Sequence, residues 1–187
     1  MLHLPIAEGA KKRGISVVIR ESVGAATVVA RKNSHAALVK EVQTHYGVEL
    51  PLGPWRASAH GVSFAGIAPE TWLATCDGLG NDFARLLKKN LGMHASVCDQ
   101  TDAYVRFDLS GTRVREVLSC LVPIDVHPRV FKVGRVAVTT AAHMVAILSR
   151  TDDGSDGCAN FEIAVFRSYA TSFWHALEAV LRRLVST

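Results

Sequence analysis

The sequence lacks the cysteine and histidine spacing that is typical of zinc sites. Cys76, Cys98, Cys120 and Cys158 lie far apart with no CxxC pair, and the eight histidines form neither an HxxxH nor an HxH pair. No Cys–His cluster has the spacing that zinc ligation needs. We therefore predict no metal site, structural or solvated histidines, and cysteines that are buried free thiols of a cytosolic protein.

Long apolar runs are also missing. No stretch of 18 apolar residues occurs, and the start of the chain has no apolar segment of the kind found in secretory signals. A cytoplasmic protein without a membrane partner is expected. Residues 1–14 are mixed in composition and carry the basic run Lys11-Lys12-Arg13, so we predict an N-terminal arm that becomes ordered on a partner.

The chain has little excess charge. Its formal net charge is +4, and its basic pairs are short, scattered and without interleaved aromatic residues. This pattern argues against nucleic-acid binding, and Lys88-Lys89 and Arg182-Arg183 are better explained as the last turns of helices. A hydrophobic content of 49% indicates either a large core or a surface that a partner covers, and both explanations stay open.

What the sequence does contain is centred on residues 102–148. Side chains alternate from Tyr104 to Ser110 as in a strand with one apolar face. Val114, Val117, Leu118 and Leu121 then follow helical spacing. We predict a helix capped by Ser110 or Thr112, then a turn bounded by Pro123 and Pro128 in which Phe131 is the apolar anchor, and a second strand after Gly134.

A strand followed by an amphipathic helix appears four times, in Ala25–Tyr46, Thr71–Leu91, Tyr104–Leu121 and Phe161–Leu184. Further strands between these units predict an α+β fold, with helices on one face of mainly antiparallel sheets. Ile15–Ile19 and Ala25–Ala30 are interpreted as a hairpin and Val48–Gly61 as a loop. The domain of residues 15–187 is expected to form two similar lobes, about 15–100 and 101–187.

Three patterns suggest chemistry, and each has a structural explanation that we favour. Gly78-Leu79-Gly80 has the position of a dinucleotide fingerprint with Asp99 downstream, but Phe83 replaces the third glycine. Asp125 and His127 suggest acid–base work, yet they lie in a proline-bounded turn where Asp accepts backbone hydrogen bonds. The sequence also contains no complete pattern for a catalytic serine or a calcium loop. Ser110-Gly111 has no paired base nearby, and Asp152, Asp153 and Asp156 lack the spacing of a calcium loop. We predict no catalytic, cofactor-binding or metal-binding residue.

Three segments together resemble the gamma subunit family of heterotetrameric sarcosine oxidase. They are PIDVHPRVFKVG, with Asp125, His127, Pro128, Phe131 and Gly134; GIAPETWLAT, residues 66–75; and FRSYATSFWHAL, residues 166–177. The second segment departs from the family pattern at Ala68 and Thr71. The resemblance also implies a fold similar to the folate-binding lobes of the glycine-cleavage aminomethyltransferase, or T-protein.

The resemblance implies a non-catalytic subunit with an assembly role in sarcosine catabolism. Its expected partners are the alpha, beta and delta subunits, which would hold FAD, FMN, NAD, tetrahydrofolate and zinc, with no cofactor on this chain. The complex would demethylate sarcosine to glycine, with H2O2 and a one-carbon unit for tetrahydrofolate as the other products. The alternative is a free-standing folate-binding aminomethyltransferase-like protein, against which the length of 187 residues argues.

Overall fold

The computed structural model describes residues 14–20, 23–154 and 157–185. The predicted N-terminal arm therefore lies outside the described residues except for Gly14. The strands are β1 (Ser16–Arg20), β2 (Val23–Ala30), β3 (Arg56–Ala59), β4 (Val62–Ala68), β5 (Thr71–Asp77), β6 (Ala95–Asp99), β7 (Tyr104–Ser110), β8 (Val136–Ala141), β9 (Met144–Arg150) and β10 (Asn160–Phe166). The helices are α1 (His35–Tyr46), α2 (Asp82–Leu91), α3 (Val114–Leu121) and α4 (Ala170–Val185), the last preceded by the short 3₁₀ turn Arg167–Tyr169.

The chain forms two compact units. We call one the continuous unit, which is described from Val23 to Tyr104. The other is the split unit, which combines the described residues before 21 with those from Val105 onwards. Each unit contains its own five-stranded sheet and its own hydrophobic core.

The sheet of the continuous unit has the strand order β3-β4-β5-β2-β6, and its neighbouring strands are antiparallel. Period-2 alternation directs Val28 of β2 and Phe64 of β4 into the core. Helical spacing brings Leu38 of α1 and Leu87 of α2 to the same core. Gly47 ends α1 in the left-handed conformation, and its amide donates to the Gln43 carbonyl at 3.0 Å.

The sheet of the split unit has the order β1-β7-β10-β9-β8. The pairs β1–β7, β9–β10 and β8–β9 are antiparallel, with Val17 opposite Leu109. Helices α3 and α4 supply one side of its core, where the rings of Phe107 and Phe173 meet edge to face with centroids 4.8 Å apart. The predicted α+β architecture with helices on one face of each sheet is confirmed.

The two sheets have the same topology. β2, α1, β3, β4, β5, α2 and β6 correspond in order to β7, α3, β8, β9, β10, α4 and β1. In the continuous unit the edge strand beside β2 comes after α2, whereas in the split unit the equivalent strand comes from near the start of the chain. The prediction of two similar lobes therefore has a topological basis.

The same pairing corrects two predictions. Residues 15–19 do not form a hairpin with 25–30, because β1 pairs with β7 while β2 pairs with β5 and β6. Residues 15–20 consequently belong with the second lobe rather than the first. The hairpin was predicted because the two segments are close in sequence. β1 instead pairs with the distant strand β7, where Val17 joins the core of the split unit.

Two local predictions are also wrong. Val48–Gly61 contains the strand β3, whose Ala and Ser residues give little strand signal but pair with β4. Neither Ser110 nor Thr112 caps α3; Arg113 holds the N-cap position without a side-chain cap hydrogen bond. Helix α2 directs Phe83, Ala84, Leu87 and Leu91 into the core, while Leu86 is exposed.

Candidate functional site

The segment between α3 and β8 contains the residues that the sequence singled out most strongly. The amide of His127 donates to Oδ1 of Asp125 at 2.8 Å, and the His127 carbonyl accepts from the amide of Phe131 at 2.8 Å. The ring Nδ1 of His127 lies 3.3 Å from the amide of Arg129, and both Asp125 and His127 are exposed. The contacts are those of a turn, as predicted, and not of an Asp–His dyad.

Phe131 anchors this segment to the core of the split unit. Its exposed fraction is only 4%, and its ring lies 6.2 Å from that of Phe161 in a stacked arrangement. Because Pro123 and Pro128 have no amide hydrogen to donate, the segment depends on side chains for attachment. The prediction that Phe131 pins the turn is confirmed by its burial.

Two arginines that sequence analysis missed hold the same segment. Nη1 of Arg150 donates to the Phe131 carbonyl at 3.1 Å, and Nε of Arg115 donates to the Val126 carbonyl at 3.1 Å. The Arg115 guanidinium also lies 5.5 Å from the centroid of the Phe161 ring, within cation–π range. The two side chains thus bond to carbonyls on either side of the turn.

The electrostatics of this pair are those of a partly buried cationic cluster. Burial lowers the pKa of Arg115, the positive charge of Arg150 lowers it further, and Asp153 acts in the opposite direction. Nη2 of Arg150 lies 2.9 Å from Asp153, which supplies a compensating charge. In the described part of the chain, Nε of Arg150 has no hydrogen-bond partner. The two arginines hold the backbone of the segment between α3 and β8 in place. Their described contacts include no nucleophile and no acid–base pair.

Part of this arrangement was readable in the sequence. Ala146, Leu148 and Arg150 alternate along β9, so the period-2 pattern places Arg150 on the side of the sheet that faces the core. The carbonyl that it binds belongs to a loop 19 residues away in sequence, and no pattern in the chain indicates that partner.

The Gly78–Gly80 candidate is a turn. The amide of Phe83 donates to the Gly80 carbonyl at 3.2 Å, and the buried Phe83 lies so close to Gly24 of β2 that a Cβ there would be 2.6 Å from it. Because β2 lies between β5 and β6 and is antiparallel to both, these two strands are not the adjacent parallel strands of a dinucleotide-binding βαβ unit. The Oδ1 atom of Asp99 accepts from the Thr101 amide at 2.9 Å, which is again a turn contact.

The His, Cys, Asp and Glu side chains that the structure describes do not gather into a metal site. Among the residues that the structure describes, no group of three His, Cys, Asp or Glu side chains could hold a metal ion. His35 and His45 each contact a carboxylate, Glu70 at 2.7 Å and Glu41 at 3.3 Å. His3 and Asp156 lie outside the described residues.

The four cysteines are free, as predicted, but the prediction that they are buried is wrong for Cys98 and Cys120. Both are exposed. Cys120 lies off the apolar stripe of α3, so the helix turns its side chain away from the core. Cys76 is buried, and burial raises the pKa of its thiol, with Asp77 contributing in the same direction.

The continuous unit contains an apolar groove beside α1, which encloses about 710 Å³. It is lined by nine residues of α1, β3 and the loop between them: His35, Ala36, Val39, Glu49, Leu50, Pro51, Leu52, Trp55 and Ala57. At one end Nδ1 of His35 contacts the Glu70 carboxylate, and the His35 ring lies 6.0 Å from the Trp72 ring. Sequence analysis did not identify this groove, because its walls come from a helix and a loop with no shared periodicity.

In the described residues, no helix is long and apolar enough to cross a membrane. Comparison with solved structures identifies the fold. The chain matches one from the heterotetrameric sarcosine oxidase of Corynebacterium sp. U-96 with a TM-score of 0.79 and 22% identity, covering 95% of this chain and 89% of that one. It also matches the glycine cleavage system aminomethyltransferase T of Bartonella henselae with a TM-score of 0.64 and 14% identity, covering 88% of this chain and 45% of that one.

These likenesses define a protein with an aminomethyltransferase-like α+β fold. Sequence comparison then gives the family. Residues 30–181 match the family described as "Sarcosine oxidase, gamma subunit family". A sarcosine oxidase subunit gamma from Arthrobacter sp. is 30% identical over 160 residues, which cover 82% of this chain and 76% of that protein. The chain belongs to the sarcosine oxidase gamma subunit family, as its three sequence segments indicated.

Proposed function

We propose that this chain is a non-catalytic subunit of a flavin-dependent, heterotetrameric sarcosine oxidase and that its role is assembly. Membership of the gamma subunit family supports the place in an oxidase complex. The observation that supports a non-catalytic role is that Asp125 and His127, the residues that most suggested acid–base chemistry, make the backbone contacts of a turn. The Asp125 carboxylate accepts a backbone hydrogen bond, and the His127 carbonyl closes the turn onto Phe131.

The proposal includes the partners and cofactors. The alpha, beta and delta subunits would carry FAD, FMN, NAD, tetrahydrofolate and zinc. The flavin chemistry would oxidise the N-methyl group of sarcosine and pass two electrons to O2, giving H2O2, glycine and a one-carbon unit for tetrahydrofolate. A cytoplasmic location is part of the proposal and agrees with the four free cysteines.

The test is to produce the full chain with an affinity tag in two ways, alone and together with the other subunits. Alone, it should bind none of FAD, FMN, tetrahydrofolate and zinc in calorimetric titrations. Together, it should co-purify in fixed stoichiometry with subunits that absorb as flavoproteins and oxidise sarcosine. Tetrahydrofolate binding by the isolated chain would favour the free-standing aminomethyltransferase-like alternative. Failure to co-purify with any flavoprotein subunit would overturn the proposal.

A further inference from the structure

The groove of the continuous unit is bordered by a rigidly held loop. Nε1 of Trp72 donates to the Pro51 carbonyl at 2.8 Å, and the amide of Gly66 donates to the Trp55 carbonyl at 2.9 Å. The loop also lies directly on β4, because a Cβ at Gly66 would be 1.9 Å from the carbonyl oxygen of Gly53. Residues 51–55 are thus fixed at three points.

This fixed loop presents an apolar side chain to solvent. The exposed fraction of Leu52 is 71%, compared with 36% for Trp55, which also lines the groove. The corresponding loop of the split unit, between α3 and β8, also exposes an apolar side chain, Val130 at 57%, but Leu52 is the more exposed of the two. A rigid loop that holds an apolar side chain outward is pre-organised for binding.

The charges at the groove indicate what kind of partner it fits. Among the described residues that line it there is neither Lys nor Arg, while Glu49 lies on its wall. A second carboxylate, that of Glu70, lies beside it in contact with His35. An apolar floor with carboxylates at its edge complements an apolar side chain flanked by a cation.

We propose that this groove docks an apolar segment of a partner subunit flanked by Lys or Arg. The proposal rests on the proposed function, because it takes the occupant from the other subunits of the oxidase. Trp55 would form the central contact, since binding energy in interfaces concentrates in a few side chains among which Trp is enriched, with Leu52 packed beside it and Glu49 meeting the cation at the rim. The open shape suits a protruding peptide better than an enclosed small ligand.

The experiment measures binding of the immobilised full chain to the separately purified partner subunits. Leu52→Asp should weaken the tightest of these interactions at least about tenfold. The matched control is Met93→Asp, which adds the same charge to the same unit at a position that is 84% exposed and outside the groove; it should change the Kd less than about threefold. Glu49→Lys should also weaken binding and reduce its salt dependence.

Thermal melts of both Asp variants should match that of the original chain, since both positions are exposed. Equal affinity of the original chain and Leu52→Asp would overturn the docking site while leaving the proposed function intact. If the isolated chain dimerises and Leu52→Asp abolishes the dimer without affecting subunit binding, the occupant is a second copy and the proposal is likewise overturned. Absence of binding to any partner subunit would overturn the proposed function together with the docking site.

Discussion

Phe131 anchors a segment of turns and bends that belongs to neither a helix nor a strand. Truncation to Ala removes its contact with Phe161 and leaves a cavity, so Phe131→Ala should lower the free energy of unfolding by about 3–5 kcal/mol. The measurement is urea denaturation of the full chain. Val130→Ala is the control in the neighbouring position, and since Val130 is exposed it should cost less than about 0.5 kcal/mol. Equal losses in the two variants would contradict the anchoring role.

Asp125 and His127 should be dispensable for chemistry. Asp125→Asn retains a side-chain oxygen for the His127 amide, and His127→Gln retains the backbone contacts of the turn. In assembled oxidase, turnover of sarcosine per flavin should therefore stay within about twofold. Loss of an acid–base group typically costs 10²–10⁴-fold. Normal assembly with turnover reduced by about a hundredfold would assign one of these residues to catalysis and contradict the structural interpretation.

Tyr46 makes stability depend on pH at the alkaline end. Burial raises the pKa of its phenol above 10.0, partly offset by the hydrogen bond from Asn90. The unfolded chain therefore ionises at lower pH than the folded protein. The associated stability is fully present below about pH 10 and is lost as pH rises towards the folded pKa.

The check is to compare the original chain with Tyr46→Phe by urea denaturation from about pH 8 to 11. The variant loses the Asn90 contact, which lowers stability by about 1 kcal/mol at every pH. Its alkaline decline should be shallower than that of the original chain. Tyr104, whose pKa is also raised by burial, titrates in both proteins and cancels in the difference, whereas Cys76 raises the pKa of Tyr46 and contributes to the difference. Parallel curves would show that Tyr46 ionises equally in the folded and unfolded states.

At the scale of elements, β1 offers a matched pair of positions. Val17 is 1% exposed and faces the core of the split unit, whereas its neighbour Val18 is 41% exposed. Val17→Asp buries a carboxylate and should cost about 3 kcal/mol or more. Val18→Asp loses the same strand propensity and lies opposite Asp108 across the pair, but it keeps its charge in water, so it should cost about 1 kcal/mol, well below the cost of Val17→Asp. The measurement is the free energy of unfolding of both variants. A larger loss of stability in Val18→Asp than in Val17→Asp would mean that the register of β1 with β7 is wrong.

Local patterns in the sequence were sufficient for most elements. Helical spacing located α1 and α3, and alternation located β7. In each of these elements one face packs on a core, and the spacing of apolar residues in the sequence shows which face that is. The partner of β1 could not be predicted in this way, since it lies near residue 108, and the ion pair between Arg20 and Asp108 joins positions 88 residues apart. Pairing at such separation depends on the assembled core and leaves no local signal.

The candidate site shows the same division. Prolines and an Asp in a short segment predicted the turn and its Phe131 anchor, because both depend on local backbone chemistry. The contacts of Arg115 and Arg150 with backbone carbonyls, and the groove beside α1, arise where separate elements meet. A sequence pattern shows which face of a helix or strand is buried, but it does not show which residue of another element packs against that face.

At the scale of the whole molecule, repeated topology and family membership lead to one more prediction. If the chain serves assembly, its folded form gains stability from partners that do not bind the unfolded chain. At a partner concentration of about 100 times the Kd, the gain is about 2.7 kcal/mol. For a chain of this size each kcal/mol raises the Tm by about 2–4 °C, so the Tm should rise by about 5–11 °C.

The measurement is a series of thermal melts of the full chain titrated with each purified subunit. Its signal should come from a probe on this chain, so that unfolding of the partner does not interfere. The Tm should rise with the logarithm of partner concentration once that concentration exceeds the Kd, because the stabilisation follows mass action. An unrelated protein at the same mass concentration serves as the control, since crowding alone favours the compact state by only about 0.2–1 kcal/mol. A Tm that is high for the isolated chain and independent of every subunit would mean that the fold gains nothing from assembly, and the structural role would then be wrong.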